Sequence, residues 1–137
     1  MTKLPKEFLK KFKDFKTFED ACKISGLDSN KVIPDFSFYP KKDRKAMIAH
    51  AKLVIIVCAA NKIENDGKEW IPDWSNWDEI KYESWFYLKE GSSGFRSDVC
   101  DGWSADTDVG SRLCFKSLNL AKYIAIQFID LYKAYFL

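Results

Sequence analysis

The chain has one histidine, His50, and four cysteines at unrelated spacings, Cys22, Cys58, Cys100 and Cys114. Without a Cys-x-x-Cys pair a zinc knuckle is not expected, and reduced structural thiols are. Histidine catalysis needs the ring beside a nucleophile or a metal in a cleft. His50 instead falls in the most apolar stretch, where a core histidine is expected. No Gly-x-Ser-x-Gly, His-Glu-x-x-His or Gly-x-Gly-x-x-Gly occurs, and Gly91 to Gly94 lacks the lysine and Ser/Thr of a phosphate loop. The acids Asp98, Asp101, Asp106 and Asp108 do not follow calcium-loop spacing and read as a solvated loop. No catalytic residue, metal or cofactor is expected, and a binding role is favoured over an enzyme. An uninterrupted apolar run is also missing: Met1 to Phe15 has none of signal-peptide type, and Ala46 to Ala60 is broken by His50 and Lys52. A cytoplasmic location without a membrane partner is therefore expected.

What is present is apolar bulk. With 47% apolar residues in 137, the chain is long enough for one core and short for two, so a single domain, 1–137, is expected. Asp43 to Lys62 is apolar on every helical face and must be covered on more than one side, as a buried central helix is. The Asp43 carboxylate suits a cap of its first turn, and Asn61, then Asn65, Asp66 and Gly67, mark its end. Before it, Leu4, Phe8, Leu9, Phe12 and Phe15 recur at helical spacing, which predicts an amphipathic helix over 4–15. Lysines between those rings leave a membrane-surface helix as its alternative. Thr17 and Asp20 offer a cap to a second helix, Phe18 to Ser25, ended by Gly26. Leu27 to Lys42, with Pro34 and Pro40, reads as a connector pinned to the core by the rings of Phe36, Phe38 and Tyr39.

After the central helix, Trp70, Trp74, Trp77 and Trp85 crowd into sixteen residues. The first half of that stretch is expected to be irregular, and strands are predicted over 82–89, 95–100 and 111–116. In the last, Leu113 and Phe115 should face inward and Arg112, Cys114 and Lys116 outward. Ser117 then caps a long helix, Leu118 to Phe136. The expected fold is α+β: N-terminal helices and a buried central helix, a small antiparallel three-stranded sheet and a long C-terminal helix.

Charge is divided along the chain. Met1 to Lys52 holds 13 basic and 7 acidic residues, Glu64 to Asp108 holds 4 and 12, and the remainder after Asp108 is basic again. Solvated faces account for this, and so does a basic surface for an anion with an acidic one for a partner or a second copy. Planar rings stack on bases, and guanidinium groups pair with phosphate. That combination selects Arg112, Lys116 and Ser117, with Trp85, Arg96 and Trp103, as a candidate ligand site. Ser117 enters because the free amides of a helix start attract anions.

The stretches GSRLCFKSLNLAKYIAIQFIDLYKAYF, IPDWSNWDEIKYESWFYL and FEDACKISGLD resemble a group of uncharacterised small proteins carried by phages, prophages and mobile elements of gut bacteria. The resemblance implies a mobile-element origin and a host bacterial cytoplasm, and it assigns no site. The leading expectation is a non-enzymatic binding module for an anionic ligand, a nucleotide or nucleic acid, including a host-defence signal. The alternative is a structural or assembly subunit of a phage particle, contacting copies of itself or other phage proteins.

Overall fold

The structure is a computed structural model and describes residues 3–84, 86 and 111–137. Its helices are α1 (Lys6–Lys11), α2 (Phe18–Ser25), α3 (Arg44–Glu64), α4 (Leu118–Gln127) and α5 (Ile129–Phe136), with strands β1 (Tyr82–Glu83) and β2 (Cys114–Phe115). Mixed helix and antiparallel sheet make the fold α+β.

α3 is the centre, packed mainly on α5 and α2 and also on α4 and β2. Leu53, Ile56 and Ala60 have no exposed surface, because an apolar helix is stable in water only when neighbours cover it. By length and composition Lys41–Glu64 nevertheless matches a membrane span, which the interrupted apolar run did not suggest. Asp43 does not cap α3 through its side chain as expected. A 3-10 turn, Lys41–Asp43, leads in instead, with the Asp43 amide donating to the Pro40 carbonyl at 2.9 Å. At the far end Asp66 and Gly67 take positive φ, and the Gly67 amide returns to the Lys62 carbonyl.

α2 has the predicted boundaries. The Thr17 hydroxyl accepts from the Asp20 amide at 3.2 Å while the Asp20 carboxylate accepts from the Thr17 amide at 2.9 Å, a reciprocal capping box. Gly26, at φ 68°, closes the helix in the left-handed region. There the Leu27 amide reaches the Cys22 carbonyl and the Gly26 amide that of Lys23, the Schellman arrangement.

α1 is shorter than predicted, and turns carry the chain from Phe12 to Phe15. The rings go where the periodicity sends them. Phe8, Phe12, Phe15 and Phe18 join α3, α4 and α5 in one apolar cluster, which occupies the face a membrane-surface helix would need. The Tyr123 hydroxyl donates to the Phe15 carbonyl at 2.6 Å, and Gln127 Nε2 to that of Lys16 at 2.9 Å, tying these turns to α4.

Three expectations are corrected. The connector over 27–42 is held to the core by Val32 and Ile33, whereas Phe38 and Tyr39 are exposed and Phe36 packs edge-on against Tyr39. The sheet among the described residues is two-stranded rather than three-stranded, pairing Tyr82 with Phe115 and Glu83 with Cys114; the strand expected over 95–100 lies outside them. The long C-terminal helix is two helices, interrupted at Phe128, whose ring is buried edge-on against Phe15 at 6.0 Å. His50 is half-buried, its ring stacked on Tyr135 at 4.7 Å.

Candidate ligand groove

The site begins with a buried amide. Asn61, near the end of α3, donates from Nδ2 to the Cys114 carbonyl and accepts at Oδ1 from the Lys116 amide, both at 2.9 Å. The side chain thus satisfies one backbone group of β2 and one just beyond its end, where they face a helix. α3 and α4 both contact β2. Cys114 is therefore buried together with Phe115, which corrects the outward position predicted for it. Burial pushes the Cys114 thiol up to about 11, and burial likewise raises Cys22. Both are free thiols, as is the exposed Cys58, while Cys100 lies outside the described residues.

A second buried polar group organises the tryptophan-rich segment. Lys81 has no exposed surface. Its ammonium donates to the carbonyls of Asp73 at 2.6 Å and Asn76 at 2.8 Å, sits 3.5 Å from Glu79 Oε1 and lies over the Trp74 ring at 5.4 Å. Glu79 in turn accepts from the Asp73 amide at 2.9 Å. Ser75 donates to the Asp73 carboxylate from its hydroxyl and its amide, bonds that hold that acid below the ordinary aspartate range. Residues 73–81 are an irregular loop wrapped around a cation, and the cation is satisfied from three sides.

Between this segment, the second half of α3 and residues 111–114 runs a groove of about 600 Å³. Trp70, Ile71 and Trp74 line it together with Val57 and Cys58 of α3, Glu69 and Arg112. Trp70 and Trp74 are half-buried and Arg112 is exposed. Among the described residues Arg112 has no ion-pair partner. Such a groove offers ring faces for stacking, one guanidinium fork for an anionic oxygen and one carboxylate as a hydrogen-bond acceptor.

The sequence-predicted residues divide. Arg112 lines the groove, although it lies outside the two residues of β2 and not on a strand face shared with Lys116. Lys116 does not line it, and its ammonium donates to Asn65 Oδ1 at 2.6 Å. Ser117 is occupied as the cap of α4, its hydroxyl accepting from the Leu120 amide at 3.2 Å. Trp85, Arg96 and Trp103 lie outside the described residues, as do the acids from Asp98 to Asp108. Among the described residues no group of three or more His, Cys, Asp or Glu side chains is placed to hold a metal ion. Sequence reasoning took Asn61 for the end of the central helix, whereas α3 runs on to Glu64 with Asn61 buried inside it, and it missed the roles of Asn61, Lys81 and Cys58. For the first two the only local signal is a polar residue beside apolar ones.

No protein-family model matches the chain, and comparison with curated proteins and with solved structures gives no match either.

Proposed function

We propose that the protein is a non-enzymatic binding module whose groove holds a planar anionic ligand of the nucleotide class. The observation that carries this reading is the position of Arg112, exposed and without an ion-pair partner among the described residues, on the same groove as Trp70 and Trp74. Ring stacking supplies sequence-tolerant affinity for a base, and the guanidinium supplies paired hydrogen bonds to phosphate. The groove has the volume of a small-molecule pocket, which favours a nucleotide or dinucleotide over a long strand. With the mobile-element origin that the resemblance implies, the reading extends to a protein that sequesters a nucleotide signal in the host bacterial cytoplasm.

The test is a thermal-shift screen of nucleotides, cyclic dinucleotides and short single strands. A ligand at 100 times its dissociation constant adds about 2.7 kcal/mol of stability. Arg112→Ala then weakens binding by about 1 to 3 kcal/mol without lowering the melting temperature of the free protein. Cys58, exposed and lining the groove, gives a second readout, because a bound ligand slows its alkylation. No response to any of these compounds ends the reading.

A second reading, a structural or assembly subunit that works by self-association, draws support from apolar side chains left in solvent. Ile71 is 72% exposed, Trp77 65% and Ile80 49%, an apolar display unusual for one short segment.

A further inference from the structure

Trp77 lies within the loop built around Lys81. The carbonyls of Asp73 and Asn76, both just before it in the chain, are fixed by the buried ammonium, and just after it the Asp78 amide donates to Asn76 Oδ1 at 3.0 Å. The loop is thus ordered before any partner arrives, and a preorganised aromatic loses little freedom on docking. Around Trp77 the segment is acidic: Glu69, Asp73 and Asp78 are exposed, and Lys81, the single cation of 69–81, is turned inward. An exposed tryptophan with exposed carboxylates fits an apolar depression rimmed by cations.

The chain carries such a depression elsewhere. Along the first half of α3, where α5 packs against it, lies a groove of about 780 Å³. Lys42, Lys45, Lys52 and Lys133 line it, and Ala46, Ile48 and Phe136 provide apolar surface. Asp43 and Asp130 share the groove and leave the lysines in excess. Among the described residues none of the four lysines has an ion-pair partner; Lys52 lies over the Phe18 ring. The tryptophan segment borders the second half of α3 and this groove the first half.

We infer that the Trp77 loop of one copy docks in the lysine-rimmed groove of a second copy, a head-to-tail contact between two different faces. The inference rests on the second reading, self-association, and is independent of the ligand groove. Because the two faces differ, each added copy leaves one free loop and one free groove, so the assembly grows unless its rotation closes a ring. Charge complementarity of this kind weakens as salt screens it.

The experiment is light scattering of the full chain over a wide range of concentration at low and high salt, followed by mixing of two variants. Wild-type mass should rise with concentration and fall with salt. Trp77→Ala, at a solvent-exposed position, should raise the dissociation constant at least about tenfold, the scale of losing a central aromatic anchor. Lys45→Glu combined with Lys133→Glu should do the same from the other face. Mixed together, the loop-deficient and groove-deficient chains should form a one-to-one dimer that grows no further, because each supplies the face the other lacks. If wild type associates but Trp77→Ala does not change its mass, or the mixture stays monomeric, the head-to-tail contact is wrong and self-association by another face stands. A wild type that is monomeric throughout overturns both. If that monomer instead binds phosphatidylglycerol vesicles through Lys45 and Lys133, the occupant of the groove is a lipid surface and the inference fails.

Discussion

In α3, Leu53, Ile56 and Ala60 reach zero exposure among other apolar side chains, whereas residues 73–81 are arranged around the equally inaccessible ammonium of Lys81. Apolar burial is non-directional, so a helix held by it tolerates exchanges of shape as long as volume and polarity are kept. An ammonium needs acceptors at fixed places, so a loop held by one depends on a single side chain. Sensitivity therefore differs in kind: a charge breaks the first region, and loss of a charge breaks the second.

The largest effect is expected from Ile56→Asp. An unpaired carboxylate at a site with no solvent costs several kcal/mol, which is comparable to the roughly 5 to 15 kcal/mol that holds a small domain together. The variant should be insoluble or should lack a cooperative melt by circular dichroism. A soluble, cooperatively melting protein would remove α3 from the centre of the fold. Lys81→Met comes next and should act locally. It keeps most of the volume, strands the Asp73 and Asn76 carbonyls, leaves Glu79 only the Asp73 amide, and carries a penalty of about 1 to 3 kcal/mol, as leaving buried acceptors unpaired does. Hydrogen exchange should accelerate over residues 73–80 while α3, α4 and α5 stay protected. Equal acceleration across α3 would mean that loop and helices open as one unit.

The same contrast explains what could be read from the sequence. α3 was legible because its apolar residues leave no polar face, and α2 because Thr17, Asp20 and Gly26 each mark a boundary through bonds to neighbours a few residues away. The break at Phe128 was not, since neither glycine nor proline marks it; the cause is a ring packed on Phe15, more than a hundred positions distant. Burial of Cys114 escaped for a related reason. Alternation predicts one covered face, and β2 has α3 and α4 against it. At the groove, Arg112 and the tryptophan cluster were legible as chemistry, but the diversion of Lys116 to Asn65 depends on a contact across 51 positions.

Asn61 joins the two regimes, being a polar side chain in the apolar helix. Asn61→Ala strands the Cys114 carbonyl and the Lys116 amide, which should cost about 1 to 3 kcal/mol. Asn61→Asp keeps the acceptor for Lys116 and loses the donor to Cys114. Chemical denaturation of both, beside the alkylation rate of Cys114, separates the two bonds. If Asn61 is the clamp, Cys114 becomes reactive in both variants. An unchanged rate would show that α3 and α4 hold β2 without it.

The smallest effect belongs to the capping box of α2, where charge and hydrogen bonding act at an exposed helix start. The bond from the Lys16 amide, then those from Thr17, hold the Asp20 carboxyl below its ordinary value. A carboxylate whose folded value is depressed contributes stability above its unfolded value, near 3.9, and that contribution disappears as pH falls through the lower folded value. Asp20→Ala should therefore cost about 1 kcal/mol at neutral pH, the usual worth of such a cap. The gap from wild type should narrow once the medium is acid enough to protonate Asp20 in the folded chain. Thr17→Ala removes the hydroxyl that accepts from the Asp20 amide and also bonds the Asp20 carboxylate, so its penalty of similar size should narrow less in acid, because the amide bond involves no titrating acceptor. Urea midpoints of the three proteins at neutral and acid pH give the comparison. A gap for Asp20→Ala that stays constant into acid would show that the carboxylate's charge contributes nothing to the start of α2.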